Sequence, residues 1–121
     1  MKKNIWNTEP EEHDYPAAVD YLSLLFSETQ ATEIVDRLKK TQTLKKKAKD
    51  ILRASDLRLL PKSNIHVKND ILKVKKGKKL SPILLIRDGK LIIADGYHRL
   101  CSIYYLSEDL EVPCRIVDKM M

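Results

Sequence analysis

Asp95, Gly96, Tyr97, His98 and Arg99 stand side by side in the stretch LIIADGYHRL. An apolar run leads straight into this group and another follows it, which reads as a buried strand giving way to a helix. The first turn of a helix has backbone N–H groups without intrahelical partners and a partial positive charge. It therefore suits an anion, and Gly96 would let a phosphate approach the backbone closely. Arg99 offers a planar fork to phosphate oxygens; His98 can donate to one or move a proton. Ser102 falls one turn beyond His98 on the same side of the helix and joins the candidate phosphate contacts. Asp95 could cap the helix, hold a metal or orient Arg99. The plainer alternative makes Asp95 an N-cap and leaves His98 and Arg99 solvated. Chemistry alone leaves both open.

A second group lies near the N-terminus, where Glu9-Pro10-Glu11-Glu12-His13-Asp14 surrounds a histidine with carboxylates. Phosphoryl transfer to a hydroxyl needs Mg²⁺ ligands and a base. Glu11, Glu12, His13 and Asp14 are the candidates for that half of the chemistry, if this loop folds over the phosphate site. Otherwise it is an acidic surface loop ahead of a helix.

The third group is basic. From Lys39 to Lys79 there are 15 Lys/Arg against 3 Asp/Glu, although the whole chain carries a net charge of only +6. Lys45, Lys46, Lys49 and Arg53 could contact DNA or RNA backbone nonspecifically. No aromatic residues interleave these lysines as a single-strand groove would require, so solvated helix faces explain them at least as well.

Several elements must position these groups. Asp14-Tyr15-Pro16 predicts a helix start, with Ala18, Tyr21, Leu22 and Leu25 on one face. Ser27 and Gln30 fit a capping box before an amphipathic stripe of Ala31, Ile34, Val35 and Leu38. A third helix is expected from about Thr43, a short strand over Leu57–Leu60, and a fourth helix capped by Ser63 or Asn64. Pro82–Ile86 and Lys90–Ala94 predict a hairpin turning at Asp88-Gly89. A helix over Tyr97–Leu106 and a strand over Val112–Val117 complete the set. The expected fold is α/β or α+β: one domain, with residues 1–55 a helical extension on a core of residues 56–121.

The 121 residues can bury a core without disulfides. Cys101 and Cys114 lack metal-ligand spacing and read as buried thiols. Trp6 reads as a plug at a core edge, and His66 as an ordinary residue near a helix start. No apolar run is long enough to span a bilayer, and no apolar stretch follows Lys2-Lys3, so a cytoplasmic protein without a membrane partner is expected. Oligomeric state is left open.

The segment from Leu57 to Val117 resembles the domain shared by ParB proteins, sulfiredoxin and the archaeal free-serine kinases. The order LRLLP, VKNDILKVKKG, SPILLIRDGKLIIADGYHRL, helix, VPCRIV carries the likeness over about half the chain. The resemblance implies a small mixed sheet of the ParB/sulfiredoxin type. It also implies a nucleotide di- or triphosphate whose phosphates are held at Gly96, His98 and Arg99; Mg²⁺ could accompany it for the phosphoryl-transfer chemistry above. ADGYHR is closest to the DGHHR-like form of the serine-kinase branch. It departs from the GERR-type form of partition proteins, and Tyr97 stands where sulfiredoxin has its cysteine. No metal-binding carboxylate array of the nuclease kind is expected.

Overall fold

The computed structural model describes residues 4–120. The fold is α+β. Helices α1 (Asp14–Leu22), α2 (Glu28–Lys40), α3 (Ala48–Ser55), α4 (Ile65–Lys75) and α5 (Tyr97–Leu106) surround four strands. These are β1 (Leu44–Lys47), β2 (Ile83–Asp88), β3 (Lys90–Asp95) and β4 (Glu111–Asp118), in the order β1-β4-β2-β3. β2 is antiparallel to β3 and parallel to β4, while β4 is antiparallel to β1.

The run Ile83-Leu84-Leu85-Ile86 is apolar throughout because β2 is covered on both faces. Ile83 and Leu85 point into one layer with Ile51, Leu100 and Ile103, from α3 and α5. Leu84 and Ile86 point into the other, with Ala18, Leu22, Ile34 and Leu38 from α1 and α2. The α2 stripe predicted from spacing is buried as expected. Ser27 accepts the Gln30 amide at 3.1 Å, and Asn64 caps α4 through the His66 and Val67 amides. Trp6 is buried at the edge of the first layer and bridges to Leu80. On α1, Ala18 and Leu22 are buried but Tyr21 is exposed; Leu25 falls beyond the end of the helix and is also exposed.

Three expectations fail locally. Residues 44–47 form an edge strand with all four side chains exposed, where a helix was expected from Thr43. Lysine suits a helix by propensity, but pairing to Glu111–Cys114 decides the outcome, and an exposed lysine row also discourages further pairing at the edge. The strand expected over Leu57–Leu60 is instead an irregular strap. The hydroxyls of Tyr97 and Tyr105, both on α5, donate to Arg58 O and Leu60 O and hold it down. The hairpin is tighter than a two-residue Asp-Gly turn: Asp88 pairs with Lys90, and Gly89 alone lies between them at φ +75°. The first 55 residues are more than a helical extension, since they supply β1 and the layer formed by α1 and α2.

Arg115 fixes that layer to the sheet. It donates to Thr43 Oγ1, Tyr15 Oη, Leu38 O and Lys39 O at 2.9–3.3 Å. The start of α1, and with it Asp14, is thereby held against β4. Both cysteines are fully buried. Burial raises the Cys101 thiol and pushes Cys114 up to about 11, so neither is a nucleophile at neutral pH. Iodoacetamide is expected to label neither cysteine in the native state and both in urea, as read by mass spectrometry.

Among the described residues no helix is long and apolar enough to cross a membrane.

Candidate functional site

A cavity of about 320 Å³ opens at the start of α5. It brings together two groups far apart in the sequence: Glu11, His13 and Asp14 on one side, and Asp95, Gly96, His98 and Arg99 on the other. Ser81 lies between them, and α4 forms the remaining wall with His66, Asn69, Asp70 and Lys73.

Gly96 is the N-cap of α5, with φ +113° and ψ 14°. No side chain caps this helix, so Asp95 does not serve as an N-cap. The first α5 amide with a protein acceptor is that of Leu100, which donates to Gly96 O at 2.9 Å. The amides of Tyr97, His98 and Arg99 have no protein acceptor among the described residues. These are the orphan donors that an anion would satisfy.

Arg99 is partly spoken for. Its Nε donates to Ser81 O at 2.9 Å; its Nη2 donates to Pro82 O at 3.2 Å and to Asp95 Oδ2 at 3.1 Å. Nη1 has no protein partner among the described residues, so one edge of the fork remains for a ligand. Ser102 is placed differently from the sequence expectation. It is fully buried between α5 and α4, with its hydroxyl facing Val67 O and His98 O at 3.0 and 2.8 Å, and it does not line the cavity.

His98 makes no side-chain hydrogen bond among the described residues, and its ring packs 4.7 Å from that of His66. Burial lowers its pKa, the charge of His66 lowers it further, and Asp70 opposes both. A neutral imidazole at pH 7 results, one nitrogen of which can accept a proton. Asp95 is shifted the other way. Burial raises its pKa, Arg99 pulls it down, and the Asp14 carboxylate, within hydrogen-bonding reach, raises it again.

On the acidic side, Asp14 is buried. Its Oδ2 accepts the Glu11 amide at 3.1 Å and the Ser81 hydroxyl. His13 Nε2 lies 3.2 Å from Glu11 Oε2 and 3.4 Å from Asp14 Oδ1. One ligand atom from each of Glu11, His13 and Asp14 falls within 4.8 Å of the others, a spacing that a divalent cation could bridge, the two carboxylates suiting a hard ion. Glu12 is exposed and lies outside this group.

Ser81, Asn69, Asp70, Lys73, Lys79 and His66 also line the cavity, without a local sequence signal that marks them. His66, Asn69, Asp70 and Lys73 follow helical spacing as a polar stripe. In sequence such a stripe looks like a solvated face.

The basic candidates are divided between two elements. Lys45 and Lys46 sit on the exposed strand β1, whereas Lys49 and Arg53 sit on α3. Lys49 pairs with Asp109 at 2.8 Å and Arg53 with Asp50 at 3.4 Å. None of the four reaches the cavity.

Comparison with protein-family models, with curated proteins and with solved structures finds no match to this chain.

Proposed function

We propose that the chain binds the polyphosphate of a nucleoside di- or triphosphate, together with Mg²⁺, and transfers a phosphoryl group to water or to a hydroxyl. The observation that carries this reading is one cavity lined both by His98 and Arg99, whose amides lack protein acceptors, beside the free Arg99 edge, and by the Glu11–His13–Asp14 group. The lining has four carboxylates, Glu11, Asp14, Asp70 and Asp95, against Lys73, Lys79 and Arg99. A bare polyphosphate would meet a near-balanced, slightly acidic wall, so the favoured guest carries its own cation. In this reading the α5 amides and Arg99 Nη1 bind phosphate oxygens. His98 donates to one of them or shuttles a proton, and Asp95 is the acid–base group. Glu11 and Asp14 would supply carboxylate oxygens to the metal, with His13 beside them, and the metal would neutralise charge on the phosphates. The fold is then a member of the ParB/sulfiredoxin type, as the DGYHR resemblance implies.

The DNA- or RNA-binding alternative has less to stand on, since two of its four cations are ion-paired and the others lie on a different element.

Thermal unfolding with ATP, ADP, CTP and tripolyphosphate, each with and without Mg²⁺, tests the reading. A ligand at a hundredfold excess over its Kd should stabilise by about 3 kcal/mol, a rise of roughly 10 °C for a chain of this size. The rise should need Mg²⁺. Retention on DNA with a steep salt dependence and no response to any polyphosphate would sink the proposal.

A further inference from the structure

Segment 80–82 is the place where the two halves of the cavity meet. Leu80 is tied to the N-terminal segment by main-chain bonds, with Asn7 N donating to Leu80 O at 2.7 Å and Leu80 N to Ile5 O at 2.8 Å. Ser81 is buried and serves both sides at once. Its hydroxyl donates to Asp14 Oδ2 and accepts the Glu11 amide at 3.1 Å. Its carbonyl accepts from Arg99 Nε at 2.9 Å, and the next carbonyl, that of Pro82, accepts from Arg99 Nη2. Asp95 also meets both sides, accepting from Arg99 Nη2 with the Asp14 carboxylate within reach, but Ser81 is the residue that also holds the loop main chain, at the Glu11 amide.

We propose that Ser81 is a positioning residue. It locks the acidic loop and the Arg99 fork in a single register, so that both present to one bound polyphosphate. This rests on the polyphosphate reading given above.

Arg99 is fixed by main-chain carbonyls, which no side-chain change removes. The loop depends on the Ser81 hydroxyl, because Asp14 is buried and that hydroxyl and the Glu11 amide are the two donors to its Oδ2. Without it, the main-chain half of the site stays formed while the loop half loses its anchor. A ligand spanning both must then order the loop itself, at a cost in affinity.

The test uses Mg²⁺-tripolyphosphate as probe on the full chain, with Ser81→Ala and Ser81→Thr. Calorimetry should show Ser81→Ala weakening binding about tenfold, as expected for losing a hydrogen bond to a charged group. Ser81→Thr, which keeps the hydroxyl, should stay within about threefold of the parent. Hydrogen exchange separates positioning from general damage. In the parent, the probe should slow exchange at residues 97–99 and at Glu11. In Ser81→Ala it should still slow residues 97–99 but no longer Glu11, and Ser81→Thr should restore the effect. If Ser81→Ala does not fold, Ser81→Cys, nearly the same size with a weak donor, replaces it with the same expected pattern.

A folded Ser81→Ala that binds and protects Glu11 like the parent overturns the role of Ser81 and leaves the polyphosphate reading standing. So does a Ser81→Thr that behaves like Ser81→Ala. A parent protein that binds no polyphosphate overturns both.

Discussion

Gly96→Ala is expected to lower the unfolding free energy by about 4 kcal/mol, through backbone strain and overpacking at one point. The N-cap of α5 has φ +113°, a conformation that an L side chain rarely adopts. A Cβ there would land on Ile83 Cγ2, 2.8 Å from Ile83 Cβ and 3.0 Å from Arg99 Nη2. Ile83 cannot yield, because it is fully buried between the sheet and α5. Glycine is thus required here by the protein itself, before any ligand approaches. Urea unfolding measures the loss. Ile83→Ala in the Gly96→Ala background separates the two causes. It relieves much of the collision but none of the φ strain, so the pair should cost clearly less than the sum of the single changes. Additive losses would show that the contact with Ile83 contributes nothing, and a loss under 1 kcal/mol would show that the turn relaxes freely.

How much of this was legible follows from which forces are local. The α5 boundaries, Tyr97–Leu106, coincide with the sequence expectation, because Gly96 punctuates the start and the apolar spacing is set along the chain. The caps at Ser27 and Asn64 were legible for the same reason: a cap is a contact between residues two or three apart. β1 was not legible. Leu44-Lys45-Lys46-Lys47 has no strand pattern of its own and becomes a strand only because β4 offers a free edge more than sixty residues later. LRLLP reads as a strand by composition, yet two tyrosine hydroxyls on α5 take its carbonyls, and no ladder forms. The Asp95–Arg99 turn was legible as a cluster of residue types. Its partners were not. Asp70 looks like a surface charge on a polar helix face until α4 is laid against α5. Ser81 is an unremarked residue before a proline, and its importance comes from Asp14, sixty-seven positions away. The acidic loop was legible as a candidate, but only the fold brings it to the cavity.

Arg99→Ala should combine the largest loss of binding with a loss of stability that depends on pH. The Arg99–Asp95 pair is 16% and 18% exposed at its side chains, with Nη2 to Oδ2 at 3.1 Å. Breaking such a pair from one side costs about 3 kcal/mol near neutrality, because the carboxylate is left buried without its cation. Asp95 sets the sign of the pH dependence. Its folded pKa is already raised, by burial first, against the pull of Arg99 and with a further push from Asp14. A raised carboxyl favours the folded state in its protonated form. That contribution is fully present below the unfolded carboxyl range, near about pH 4, and is lost as pH rises through the higher folded value. Removing Arg99 removes the one influence that lowers this value, so it climbs further. The destabilisation by Arg99→Ala should therefore be largest at pH 7 and shrink towards pH 4, leaving only the lost bonds to Ser81 O and Pro82 O. Asp95→Asn in the Arg99→Ala background should recover roughly half of the loss at pH 7 and none at pH 4. Urea unfolding at both pH values reads this directly. The same variant should abolish the thermal response to Mg²⁺-tripolyphosphate at every pH. A pH-independent loss of stability would assign the effect to packing. A preserved polyphosphate response would mean that Arg99 only braces the turn, and that the α5 amides bind the anion without it.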